Sequence, residues 1–103
     1  MKNVSSLNSV LLEGVIHETP LFTDNGEGYC VFTIASNKVY IRGGKLEKVV
    51  NYFCIEAEGN LAEACKEKAK KGVGARVVGC LRQKGGSVIT EAEHIEFRPT
   101  RSD

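Results

Sequence analysis

The sequence predicts an all-β protein: five strands closed, or nearly closed, into a barrel, with one short helix between strands 3 and 4. Three observations lead there. Apolar and polar residues alternate through several short runs, which is the period of a strand with one buried face. One stretch alone, from Asn60, changes to helical spacing. Two of the strand runs contain an internal glycine, Gly14 and Gly79, as bulged or sharply bent barrel strands do. At 103 residues the chain is read as a single domain, 1–103, with residues 1–6 as a flexible N-terminus and 99–103 as a short polar tail. A hydrophobic share of 42% is enough for a modest core.

The first strand is Asn8 to Ile16, closed by Glu18-Thr19-Pro20. Asp24-Asn25-Gly26-Glu27-Gly28 reads as a turn, because Asn-Gly supplies the positive φ of a tight hairpin. The second strand, Tyr29 to Asn37, puts Cys30, Phe32 and Ile34 on one face. Lys38 to Lys48 reads as a loop centred on Gly43-Gly44. In the third strand, from Asn51, Phe53, Ile55 and Ala57 face inward, and Tyr52, Cys54, Glu56 and Glu58 face outward. Asn60 is the expected N-cap, with Glu63 at capping-box spacing; Leu61, Ala62, Cys65 and Ala69 form the apolar stripe, and Gly72 stops the helix. The fourth strand, Val73 to Arg82, turns Ala75 and Val77 inward. Lys84-Gly85-Gly86-Ser87 makes a short turn into the fifth strand, Val88 to Arg98, anchored by Ile95 and Phe97.

Composition excludes several classes. No apolar run approaches a membrane span and the N-terminus lacks a signal-peptide core, so a cytoplasmic protein with no membrane association is expected. Cys30, Cys54, Cys65 and Cys80 include no Cys-x-x-Cys pair, so they read as reduced, mostly buried thiols and no metal or other cofactor is expected. His17 and His94 are isolated, and no nucleophile–base or phosphate-cradling motif occurs, so the chain is not expected to be an enzyme. The net charge of +1 hides a pattern: residues 37–48 and 73–84 each carry +3, while 1–36 and 85–97 each carry −3. Local basic patches can therefore exist on a nearly neutral chain.

Three strands, a helix and two strands, with bent strands, is the arrangement of the OB-fold. Five segments further resemble the bacterial single-stranded DNA-binding proteins, in order along the chain. They are Leu7-Asn8-Ser9-Val10-Leu11-Leu12-Glu13-Gly14-Val15, Phe32-Thr33-Ile34-Ala35-Ser36-Asn37, Glu58-Gly59-Asn60-Leu61-Ala62-Glu63, Lys71-Gly72-Val73-Gly74-Ala75-Arg76-Val77-Val78-Gly79-Cys80-Leu81-Arg82 and Thr90-Glu91-Ala92-Glu93-His94-Ile95-Glu96-Phe97. The resemblance implies sequence-tolerant binding of single-stranded DNA (ssDNA) in replication, repair or recombination. It also implies a homotetramer built of dimers, with the first strand as a subunit contact. In its short length the chain is similar, too, to the small primosomal replication proteins, dimeric OB-folds. That similarity implies the alternative: an adaptor working mainly through protein contacts, other replication proteins among its partners.

Binding a single strand needs aromatic faces for bases and cations for phosphates. Tyr40 and Tyr52 fall where the resembled family places stacking aromatics, and Tyr40 is interleaved with Lys38, Arg42, Lys45 and Lys48. Arg82 and Lys84 approach the last hairpin, which flanks the binding face of OB-folds. Arg76 is the remaining candidate, with a subunit contact as its other reading. Lys66, Lys68, Lys70 and Lys71 read as a solvated helix face. Glu58 stands where the family carries an aromatic, and Glu56 shares its face. Two carboxylates on the groove floor predict salt-sensitive binding with a small footprint.

Overall fold

The computed structural model describes residues 5–24 and 26–98. Its elements are β1 (Val10–Ile16), β2 (Leu21–Thr23), β3 (Tyr29–Arg42), β4 (Lys45–Glu58), α1 (Asn60–Lys68), β5 (Gly74–Lys84) and β6 (Ser87–Arg98). The strands run in the order β1-β5-β6-β4-β3-β2, and β1 also pairs with β3, so the five long strands close on themselves. Every ladder is antiparallel except a short parallel one between β4 and β6. The helix lies between the third and fourth long strands, an arrangement consistent with the OB-fold. The expected N-terminal segment and polar tail fall largely, at 1–4 and 99–103, outside the described residues.

Strand parity builds the core. Cys30, Phe32 and Ile34 of β3 meet Ile55 and Ala57 of β4, Ala75 and Val77 of β5, Ile95 of β6 and Ile16 of β1, all buried. Ala62, Cys65 and Ala69 cover one opening from the helix side. Gly14 and Gly79 are close-approach positions: a Cβ at either would run into a neighbouring backbone carbonyl, of Ala35 and of Glu91. At Gly79 the ladder with β6 also slips, which is the predicted bend.

Two expectations are corrected. Lys38 to Lys48 is not a loop: β3 and β4 continue through it as one antiparallel ribbon, paired without a break from Tyr29↔Glu58 to Arg42↔Lys45. Gly43 and Gly44, with φ of 60° and 77°, form the two-residue turn, positive at both positions as a type I′ hairpin requires. The ribbon leaves the barrel, so its alternation no longer separates buried from exposed. The helix cap differs as well. Gly59 is the N-cap, at φ 63°, and its carbonyl accepts from the Glu63 N–H, while Asn60 is already helical and makes no side-chain cap. The helix ends at Lys68, well before Gly72. Ala69 turns extended to reach the core, and the Gly72 N–H bonds the Ile16 carbonyl, docking this segment on β1.

Candidate nucleic-acid interface

The β3–β4 ribbon carries most of the predicted site. Because Tyr40 pairs with Glu47 and Tyr52 with Ala35, the two tyrosines lie on opposite faces of it. Tyr40 shares its face with Lys38, Arg42, Lys45 and Glu47. Tyr52 shares the other with Lys48, Val39, Ile41, Leu46 and Val50. All of these side chains are exposed. The two-sided arrangement follows from strand pairing; a loop would have left both rings free to converge.

Tyr52 is 57% exposed and is held by one neighbour. The His17 ring lies 4.9 Å from it in a T-shaped arrangement at 60°, and the His17 backbone N–H donates to the Thr33 carbonyl. The ring is therefore packed on one side while more than half of the residue stays exposed, so that a base could stack on it. Among the described residues no ion pair involves Lys38, Lys45 or Lys48, and Arg42 only approaches Glu47 at 4.0 Å with both side chains exposed. Lys38, Lys45 and Lys48 thus carry charge that no carboxylate of the described residues neutralises by direct contact.

The second basic block is arranged differently. Arg82 and Lys84 point to the outer face of β5, where Arg82 donates to Glu56 at 3.2 Å and Lys84 donates to its other oxygen at 2.9 Å. Arg82 also meets Glu91 at 3.0 Å. Glu56, expected on an exposed groove floor, is only 4% exposed. Its parity is as predicted, but the two cations from the neighbouring hairpin cover and neutralise it, as a buried carboxylate requires. Glu58 remains exposed. Arg76 makes a two-donor contact with Glu13 across β1 and β5, its shorter bond 2.8 Å, and Arg98 extends that pair to Glu96.

Sequence reasoning missed Tyr29 as a member of the outer surface. It is half-buried and accepts a hydrogen bond from Lys84 at 3.2 Å, with the ammonium 5.3 Å from the ring centre. Burial pushes its phenol pKa up, and the hydrogen bond from Lys84 pulls the other way. The signal was present: Tyr29 alternates out of phase with Cys30 and Phe32. His17 as the support of Tyr52 had no local signal, since it depends on β1 lying beside β3. Elsewhere Cys30 and Cys65 are buried, and Cys54 and Cys80 half-buried, all four as free thiols. The Cys65 thiol is pushed up first by its hydrogen bond with Cys30 and then by burial. Among the described residues no group of His, Cys, Asp and Glu is arranged to hold a metal ion. Nor, among the described residues, is any helix long and apolar enough to cross a membrane.

A barrel of this topology is consistent with the OB-fold, a scaffold of oligonucleotide- and oligosaccharide-binding proteins. The model of the single-strand binding protein family matches residues 7–93, and the chain belongs to that family. Its members bind ssDNA without catalysing a reaction, and the chain is not an enzyme. A search of curated proteins finds no match. Among solved structures, the SSB of Plasmodium falciparum in complex with ssDNA superposes with a TM-score of 0.80 at 17% identity, covering 97% of this chain and all of that one. The single-stranded DNA binding protein of Thermus aquaticus gives 0.74 at 28% identity over 94% of this chain; only 42% of that chain is spanned. The small single-stranded DNA-binding protein of Streptomyces coelicolor gives 0.76 at 22% identity, covering 96% and 100%.

Proposed function

We propose that the protein binds ssDNA without sequence preference through the β3–β4 ribbon, serving replication, repair or recombination in the cytoplasm. Tyr52 stacks one base and Tyr40 another on the opposite face. Lys38, Arg42, Lys45 and Lys48 contact the phosphates. The observation that carries this reading is the coincidence, on one ribbon, of two exposed tyrosines with cations that make no close ion pair. Because the tyrosines face opposite ways, the strand passes around the ribbon's edge. Stacking is worth about 1–3 kcal/mol per base. Tyr52→Ala is therefore expected to weaken oligo-dT binding by about fivefold or more, with Tyr40→Ala adding to it. Tyrosine fluorescence titrations check this; a Tyr40, Tyr52 double variant with native affinity would refute the stacking.

The single domain assembles as a homo-oligomer, with a tetramer the first expectation and a dimer the second. The exposed Leu11 and Val15 on the outer face of β1 support this strand as the contact, and the Glu13–Arg76 pair lies between them. Light scattering gives the subunit number, and Leu11→Glu is expected to lower it. A second reading, an adaptor acting mainly through protein contacts, is favoured by the exposed Val39, Ile41 and Leu46 on the ribbon. Absence of oligo-dT binding at low salt, together with a stable complex with another replication protein, would favour it.

A further inference from the structure

We infer that Glu56, seconded by Glu91, is a built-in substitute for phosphate that withholds Arg82 and Lys84 from the DNA strand and so confines the footprint to the β3–β4 ribbon. The inference rests on the ssDNA-binding reading above. Carboxylate and phosphate oxygens compete for the same guanidinium and ammonium donors. Here the competitor is fixed by the fold. The parallel bridge between β4 and β6 sets Glu56 beside Glu91, and the β5–β6 ladder sets Glu91 opposite Cys80, two residues before Arg82. Arg82 spans both carboxylates and Lys84 closes on the second oxygen of Glu56. Two positive charges thus answer two negative ones. Neither cation is sterically hidden: their side chains are 43% and 52% exposed, and a phosphate could reach them. What withholds them is a carboxylate that is itself buried and has nowhere to swing. Tyr29, bonded to Lys84, holds that ammonium from another side.

The test compares four full-length forms: native, Glu56→Gln, Glu91→Gln, and the triple variant Glu56→Gln, Arg82→Gln, Lys84→Gln. Each is melted to confirm the fold and titrated with oligo-dT over a range of salt. Glu56→Gln is expected to bind more tightly at low salt, and its plot of log affinity against log salt to steepen by about 0.7, the share of one phosphate contact on a single strand, since it frees Lys84 while Arg82 keeps Glu91. The triple variant returns both values to native, and Glu91→Gln keeps the native slope, because Glu56 still holds both cations. A folded Glu56→Gln protein with the native slope overturns the inference even where affinity rises, because relief of long-range repulsion adds no phosphate contact. If Glu56→Gln melts below the assay temperature, Lys84→Gln decides: a withheld cation leaves the native slope when removed, and a slope shallower by about 0.7 overturns the inference. Native binding with unchanged variants defeats this inference alone. No binding by any form defeats the ssDNA reading and the inference with it.

Discussion

The two long hairpins of this protein are built alike and do opposite things with their charge. Each turns on a Gly-Gly pair, Gly43-Gly44 in one and Gly85-Gly86 in the other, and each strand run feeding its turn is basic. In β3–β4 the cations sit on a ribbon beyond the barrel, where one carboxylate, Glu47, reaches Arg42 only at 4.0 Å with both side chains exposed. In β5–β6 they fold back over the barrel wall onto Glu56. A run of Lys and Arg therefore says little about an electrostatic surface until the carboxylates facing it across the sheet are known. The first hairpin keeps its charge available because it has no third strand beside it. The second loses its charge because β6 brings it within reach of β4.

Removing one cation from each hairpin should break the symmetry most visibly. Arg82→Ala leaves Glu91 without its partner and the buried Glu56 with Lys84 alone. Stripping a partner from a buried carboxylate costs on the order of 2 kcal/mol at a site open on one side. Lys38→Ala, on the free ribbon, should stay within about 0.5 kcal/mol of native. Urea unfolding of both variants measures the contrast. Equal stabilities would mean that the Glu56 cluster contributes no more than a surface pair. In ssDNA binding the order should reverse, with Lys38→Ala the more damaging.

Much of this was legible in the sequence, and the parts that were not share a cause. Alternation placed Cys30, Phe32, Ile34, Ile55, Ala57, Ala75 and Val77 in the core, and each is buried. It also placed Tyr52 and Glu56 outward. The ribbon from 38 to 48 was hidden because alternation marks a strand only where one face is buried. Val39, Ile41 and Leu46 alternate with charged and polar neighbours but have no core to face. Glu56 could not be read as buried because its cover lies 26 and 28 residues further along the chain and reaches it only through the β4–β6 bridge. Local pattern carried the strands; contacts between strands distant in sequence decided which charges are free.

The turns offer a smaller perturbation that sharpens the same contrast. Nothing lies within 4 Å of a Cβ added at Gly44, so Gly44→Ala meets only the cost of its φ of 77°, about 1–2 kcal/mol for a residue with a side chain. The outer ribbon packs on nothing but itself, so that strain should be relieved by fraying of residues near 40–47 with little loss of global stability. Amide exchange is expected to quicken there while the melting temperature barely moves, and ssDNA affinity should fall. A global drop in melting temperature of the size produced by Arg82→Ala would mean that the ribbon tip is coupled to the barrel.

The smallest expected effect is in alkaline solution, where the two hairpins should again part. Lys84 is held above its ordinary pKa of 10.5, first by its hydrogen bond to Glu56 and next by its contact with Tyr29. A cation favoured by the folded state contributes stability that is full below its unfolded pKa and is lost as pH rises through the raised folded value. Tyr29, itself raised mainly by burial, favours its neutral form in the fold and loses stability over the same range. Lys84→Arg keeps a charge there that does not titrate, so it removes the lysine contribution and leaves the tyrosine one. Urea midpoints of the two proteins should run parallel up to about pH 9 and then diverge towards about pH 11, with the native protein falling faster. Superimposed profiles for Lys84→Arg and native protein would mean that the contact with Glu56 does not persist in solution, and the neutralised hairpin would then be as free as the other.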